Sequence, residues 1–234
     1  SKEESLLLAR IDDAITKTEN KQIPTYVGFL NETEKSIVAG YIKNKSVKFK
    51  FYGGYDDAER EIVVFLPDWA ENAEFPITRI NFSFKEEFSL THRDFLGALM
   101  SLGITRQKVG DIVVKKGGAV AFVHNHCADF VLSELKKVAR VGVKLEKGDS
   151  GSIDLSPEYQ EIRKTVASAR LDCIIAALCN LSREKSAETI VSGKVFVNGI
   201  EQKTVSFALS GGDYLSIRGN GKYIIDSVSD ITKK

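Results

Sequence analysis

Residues 168–199, SARLDCIIAALCNLSREKSAETIVSGKVFVNG, carry the clearest structural instruction in this 234-residue chain. Leu171, Ile174, Ile175, Leu178 and Leu181 recur at spacings of three and four, which on a helix of 3.6 residues per turn makes one apolar stripe. Ser168 is expected to cap that helix, with Arg170 and Asp172 off the stripe. After Asn180 the chain turns, Ser182 can cap a second helix, and Ala187, Ile190 and Val191 give it a short apolar face. Gly193 ends it, and Lys194 to Val197 reads as a strand running into Asn198-Gly199, the strongest short hairpin signal. Val205, Phe207 and Leu209 then alternate, Gly211-Gly212-Asp213 turns, and Tyr214 to Arg218 returns toward a second Asn-Gly at 220 and 221. The expectation is two short helices against a small curled sheet.

The polar residues of this stretch point to an anion. Arg183 and Lys185 fall in the first turn of the second helix, where free backbone N–H groups and the helix dipole already favour negative charge. Cations there are mildly unfavourable for the helix itself, and a local violation of that kind is expected where a phosphate is to be held.

Working outward, Gly148 to Ser156 turns to Gly, Asp and Ser with Pro157 behind it, which reads as a linker. Before it the order of elements is the main clue. A strand (Ile77 to Phe84) precedes a helix (His92 to Leu102, capped by Thr91 with Asp94), and Asp111 to Val114 and Ala119 to His124 flank Gly117-Gly118 as a hairpin. A helix from Ala128 to Ala139 and a strand from Val141 to Glu146 complete a β-α-β-β-α-β succession, the ferredoxin-like (RRM-like) plait shared by many RNA-binding modules and by many proteins that bind none. Phe82, Phe84 and Phe122 could stack bases, but Lys116 to Val123 fits the usual RNA-recognition pattern poorly, so these rings are expected in the core. Upstream, Leu6, Leu7, Ile11, Ala14 and Ile15 sit at helical spacing, and Asn31 with Glu34 signs a second helix start. Val47, Phe49 and Phe51 then alternate with lysines, and Ile62 to Leu66 is an apolar strand. The fold class is therefore α+β in several domains: a small N-terminal α/β unit (1–75), the central plait (76–150) and a C-terminal module (157–234).

Composition bounds the function. With 33 basic and 32 acidic residues and 43% apolar, the chain is globular rather than disordered. Residues 1–75 carry 10 basic and 14 acidic side chains, 76–150 carry 12 and 8, and 151–234 carry 11 and 10, so a polyanion should meet the later two thirds. No apolar run is long enough to span a membrane, the first twenty positions lack a signal-peptide pattern, and three cysteines make no disulfide framework, so a cytoplasmic protein is expected. The chain opens on Ser1 instead of an initiator Met, so a few native residues are expected to be missing.

Arg170-Leu171-Asp172, Ser182-Arg183 with Ala187, Gly193-Lys194-Val195 with Val197-Asn198-Gly199, and Gly212-Asp213 together resemble the S4 RNA-binding domain. The resemblance implies that Arg170, Arg183, Lys185 and Lys194 line an RNA-contacting face, with Lys203 and Arg218 as weaker additions. Upstream, Gly53-Gly54-Tyr55 with Ala58-Glu59-Arg60, Thr91-His92-Arg93-Asp94-Phe95-Leu96-Gly97-Ala98-Leu99, Leu102-Gly103-Ile104 and Gly110-Asp111-Ile112 look like the YlmH family of bacterial S4-domain proteins, which extends the resemblance over nearly the whole chain. It departs from the family at Ala167-Ser168-Ala169, where a second serine is common. What the resemblance implies is a non-enzymatic, cytoplasmic protein that binds structured rRNA and tRNA. Its place would be the large ribosomal subunit obstructed by peptidyl-tRNA, in quality control of the stalled chain. Such contacts engage phosphate and helical shape and weaken with salt.

Other signals are weaker. His92-Arg93-Asp94 copies a kinase tripeptide, but Leu99 stands where an Asn would hold magnesium, so Thr91 and Asp94 are read as helix caps and Arg93 as a further RNA contact. His124, His126 and Cys127 lack a fourth ligand of recognisable spacing, and Gly219-Asn220-Gly221-Lys222 lacks the flanks of a nucleotide loop. No catalytic residue, metal or cofactor is expected. The competing class is an RNA-modifying enzyme, such as a pseudouridine synthase or methyltransferase, that uses the S4 module to bind its substrate; its catalytic signatures are absent. A protein-interaction adaptor working through the acidic N-terminal unit is compatible with the non-enzymatic RNA-binding reading.

Overall fold

Amphipathic spacing builds α1 (Lys2–Lys21), which buries Leu7, Ile11, Ala14 and Ile15 while Leu6 stays exposed. The strand β1 (Thr25–Leu30) leads into α2 (Glu32–Ile42), started by a complete capping box between Asn31 and Glu34. Strands β2 (Lys48–Tyr52) and β3 (Glu61–Leu66) complete an antiparallel sheet in the order β1-β3-β2. The central strand β3 is apolar from Ile62 to Leu66 because both its faces are covered: Val63 and Phe65 pack beneath α1 and α2, while Ile62 faces the next sheet. The computed structural model describes residues 2–56, 58–148, 155 and 159–228, and divides into two compact units, Ser1–Glu158 and Tyr159–Lys234.

The rest of the first unit runs β4 (Ile77–Ser83), α3 (His92–Ser101), β5 (Val109–Lys115), β6 (Gly118–His124), α4 (Asn125–Glu134), β7 (Lys137–Val138), β8 (Val141–Gly142) and β9 (Lys144–Lys147). Strands β5-β6-β4-β9 form one antiparallel sheet in that order. Ile80, Phe82, Ala119, Ala121 and Val123 share the face packed on Phe95, Leu99 and Val131 of α3 and α4. The opposite face presents Val120 and Phe122, which are buried with Phe29 and Ile62 of the first sheet. The two sheets thus close over a common apolar layer.

Polar groups lock that layer. Asp111 on β5 accepts from Tyr55 Oη (2.8 Å), Glu59 N (2.7 Å) and Arg60 N (3.1 Å), and Arg60 donates to the carbonyls of Phe29 (2.6 Å) and Val109 (3.2 Å). The Tyr55 ring lies over Phe122 at 5.2 Å, only 21° from parallel. Gly54 makes this approach feasible: its φ is +106°, and a Cβ there would stand 2.4 Å from Phe122 Cδ1. Phe82 and Phe122 are core, as expected from the sequence, and Phe84 is half-buried against it. Phe82 and Phe84 pack around Phe95, and Phe122 lies under the N-terminal unit.

The second unit contains α5 (Leu171–Cys179), α6 (Arg183–Val191), β10 (Val195–Val197), β11 (Ile200–Glu201), β12 (Tyr214–Ile217) and β13 (Gly221–Ile224), its strands ordered β11-β10-β12-β13. Leu171, Ile174, Ile175 and Ile190 pack on Val195, Val197, Leu215 and Ile217, so the helical stripe meets the inner face of the sheet. Asn198 (φ 51°) and Gly199 (φ 76°) make the expected hairpin turn.

Several expectations need correction. Helix α4 stops at Glu134, because Leu135 leaves the helical conformation and the chain to Gly142 forms the β7-β8 hairpin around Ala139 (φ 51°). Ser168 does not cap α5; Arg170 holds the cap position, and the first helical N–H groups, of Leu171 and Asp172, donate to the carbonyls of Phe207 (2.7 Å) and Val205 (3.2 Å). Val205 and Phe207 spend their carbonyls there, and residues 205–209 form no strand beyond a single bridge between Arg170 and Ala208. The second Asn-Gly does lie at the tip of the β12-β13 hairpin, but the turn begins earlier: Asn220 N bonds Ile217 O across Arg218-Gly219, with Gly219 at φ +86°. The linker at 148–156 lies, Gly148 and Leu155 apart, outside the described residues. No helix among the described residues is long and apolar enough to cross a membrane.

Candidate nucleic-acid interface

The start of α5 is fixed before any charge is considered. Its first two N–H groups are satisfied by Val205 and Phe207, and Leu209 N bonds Ala169 O (2.9 Å), so Arg170 is gripped on both sides by backbone. Asp172 follows in the first turn, and its side chain is only 5% exposed because α6 packs across α5. The sequence pattern leaves Asp172 off the buried stripe; the structure buries it between the two helices instead.

That burial is tolerable because the carboxylate is paired. Arg170 donates from Nε to Oδ1 (3.0 Å) and from Nη2 to Oδ2 (3.3 Å), and Arg183 donates from Nη2 to Oδ2 (2.7 Å). These bonds, Arg170's first and then Arg183's, hold the Asp172 pKa well below the usual carboxylate range against the opposing effect of burial. Arg183 is raised in turn by its bond to Asp172. A guanidinium has five N–H donors, so Arg170 keeps three and Arg183 four beyond those spent on Asp172. The side chains are 43% and 62% exposed, so these donors face solvent while one buried acid sets their position.

Helix α6 adds a polar end. Ser182 caps it, its Oγ accepting from Lys185 N (3.2 Å), and the Lys185 ammonium is exposed with no ion pair among the described residues. Arg170 and Arg183 therefore meet on Asp172, and Lys185 shares the first turn of α6 with Arg183. The remaining residues gather at one end of the sheet. Lys194 precedes β10 and Arg218 follows β12, joined by Arg218 N to Lys194 O (2.9 Å). Arg218 lies over the Phe196 ring at 4.9 Å, and Lys203 pairs with Glu201 at 3.2 Å. A nine-residue α6, about 13 Å long, separates the two groups. Arg93 belongs to the first unit, exposed in the first turn of α3 behind the Thr91–Asp94 capping box.

The organising role of Asp172 is the feature that pattern reading misses. Its only sequence signal is the Arg-x-Asp triplet followed by an Arg just inside the next helix cap. The histidine cluster does not assemble a site: His124 and His126 stack on each other at 5.0 Å, and Cys127 turns into the core. Among the described residues no group of His, Cys, Asp and Glu could hold a metal ion.

Residues 70–151 match the family model described as the putative RNA-binding domain in YlmH. Over 210 residues the chain is 36% identical to the ribosome-associated protein quality control protein P2 of Bacillus subtilis (strain 168), a match covering 88% of this chain and 82% of that protein. Among solved structures it is similar to the cell division protein ylmH from Streptococcus pneumoniae, with a TM-score of 0.55 and 25% identity, over 64% of this chain and 93% of that one.

Proposed function

This chain belongs to the YlmH family, and we propose that it is a non-enzymatic RNA-binding protein acting in ribosome-associated quality control. Its ligands are structured rRNA and tRNA on a large subunit carrying peptidyl-tRNA. In this reading residues 1–75 are an accessory α/β unit, 76–150 a ferredoxin-like plait and 157–234 an S4 domain. Arg170, Arg183, Lys185, Lys194, Lys203, Arg218 and Arg93 meet the phosphates. The relative from Bacillus subtilis bears a name that places it in that process, and the matched family model is one of RNA binding.

The observation that carries the reading is the buried Asp172 with two exposed arginines on it. A carboxylate that only joins elements can take its donors from backbone; here two guanidinium groups, held with their remaining donors outward, form a preorganised receptor for phosphate oxygens. Removing both arginines (Arg170→Ala with Arg183→Ala) should weaken binding to tRNA or rRNA fragments by about 1 to 3 kcal/mol. It should also lower the unfolding temperature, since Asp172 loses its partners. Lys185→Ala with Lys194→Ala is the cleaner variant, because neither ammonium is paired among the described residues. Here stability should hold while the slope of log K against log salt shrinks by about 2. Unchanged RNA affinity in both variants would end the reading. Incubation of the protein with tRNA, rRNA and common cofactors should leave every nucleoside mass unaltered; a new modified base would make it an enzyme.

A further inference from the structure

The first unit carries a second cationic feature, which the S4 resemblance does not touch. Residues 136–147 hold five basic side chains and one acid, Glu146. Lys136, Lys137 and Arg140 lie on or beside the β7-β8 hairpin, Lys144 opens β9, and all four are exposed without an ion pair among the described residues. Lys147 alone is neutralised, by Asp129 at 3.3 Å.

This hairpin is a fixed projection. Leu135 and Val138 are buried in the core with Phe95, Leu99 and Val131, and Val143 N bonds Lys136 O (3.1 Å) at its base. Strand β7 also packs against α3. The turn puts Ala139 at φ 51°, a left-handed conformation that costs an L residue energy, with Arg140 next to it at the tip. Lysines along an exposed strand edge often serve only to prevent strand addition, which accounts for Lys144 and Lys147 on the edge strand β9. It does not account for Lys136, Lys137 and Arg140, which lie outside that sheet.

The face of the same sheet that a plait would use to stack bases is closed. Val120 and Phe122 are buried against Phe29 and Ile62, and Tyr55 already occupies the Phe122 ring. What the unit still offers a polyanion is charge outside that face. We infer that the Lys136–Lys137–Arg140 hairpin, with Lys144 beside it, is a backbone-contacting RNA site of the first unit, distinct from the arginines on Asp172. It engages phosphates and not bases. This rests on the RNA-binding reading above and adds a second point of attachment to it.

The test uses the full chain and two probes, a fluorescent RNA stem-loop and bulk tRNA, titrated over a range of salt. Lys136→Ala, Lys137→Ala and Arg140→Ala combined should weaken binding roughly 10- to 100-fold and reduce the slope of log K against log salt by about 2 to 3, one unit or slightly less per lost phosphate contact. The unfolding temperature should be unchanged, because none of the three side chains is buried or ion-paired among the described residues. Conservative replacement by Arg, Arg and Lys should restore the slope. If the triple variant keeps affinity and slope while Lys185→Ala with Lys194→Ala loses them, the hairpin site is overturned and the RNA reading stands. If the unaltered protein binds neither probe, both fall. If the triple variant loses binding to polyglutamate but not to RNA, the hairpin serves an acidic protein and the inference is wrong.

Discussion

Two buried aspartates, one in each unit, have opposite surroundings. Asp111 is 8% exposed and takes its hydrogen bonds from two backbone N–H groups and a tyrosine hydroxyl, all from the 55–60 segment. Asp172 is 4% exposed and takes its bonds from two arginine side chains that reach solvent. The first arrangement spends the carboxylate on joining two sheets; the second spends it on aiming positive charge outward. A buried acid is thus informative about function only through its partners: backbone donors signify packing, exposed guanidinium donors signify display.

The largest separation between the two should come from Asp111→Ala. Three hydrogen bonds between the 55–60 segment and β5 are lost, and the first unit should be destabilised by about 2 to 4 kcal/mol, read as a lower denaturant midpoint. RNA affinity measured where the chain is still folded should not change; a specific loss there would erase the contrast. Next is Gly54→Ala, which pits a Cβ against the Phe122 ring at a positive φ and should cost about 1 to 3 kcal/mol. Hydrogen exchange should locate the loosening at the contact of Tyr55 with Phe122. A midpoint equal to that of the unaltered chain would mean that the sheets do not close as described.

Asp172→Ala is the sharper experiment although its effect on stability is smaller, about 1 to 2 kcal/mol. It makes the second unit more positive by one charge, yet RNA affinity should fall, because the arginines lose their anchor. Tighter binding would show that net charge and not geometry governs the site. The smallest effect is in pH. Asp172 has its native pKa lowered by Arg170 and Arg183, so its contribution is complete above the unfolded value near pH 4 and is lost as pH falls through the native one. The second unit should therefore lose stability below about pH 4, and Asp172→Asn should flatten that part of the profile. Parallel acid limbs in the two proteins would contradict the pairing.

Local chemistry was legible in the sequence wherever it was self-contained. The capping boxes at Asn31–Glu34 and Thr91–Asp94, the Ser182 cap and the Asn198-Gly199 turn each involve residues within four positions, and all form as expected. What escaped depends on distant chain. Arg170 displaces Ser168 at the start of α5 because carbonyls more than thirty residues away satisfy the helix. Asp172 is buried because α6 folds back across it. The end of α4 was hidden for another reason: the turn after it uses Ala139 in a conformation normally signalled by glycine. At the candidate site the cationic residue types could be read from the pattern, but not their division into two groups or the acid that organises one of them.

The clamp on Asp172 spans the joint between two short helices, since Arg170 precedes one and Arg183 begins the other. Its integrity therefore reports on that joint. Should α6 swing away or melt, Arg183 would leave Asp172, and the buried carboxylate would keep only Arg170 as its partner. The pairing of one buried acid and the packing of two helices of nine residues each are in this way a single structural unit.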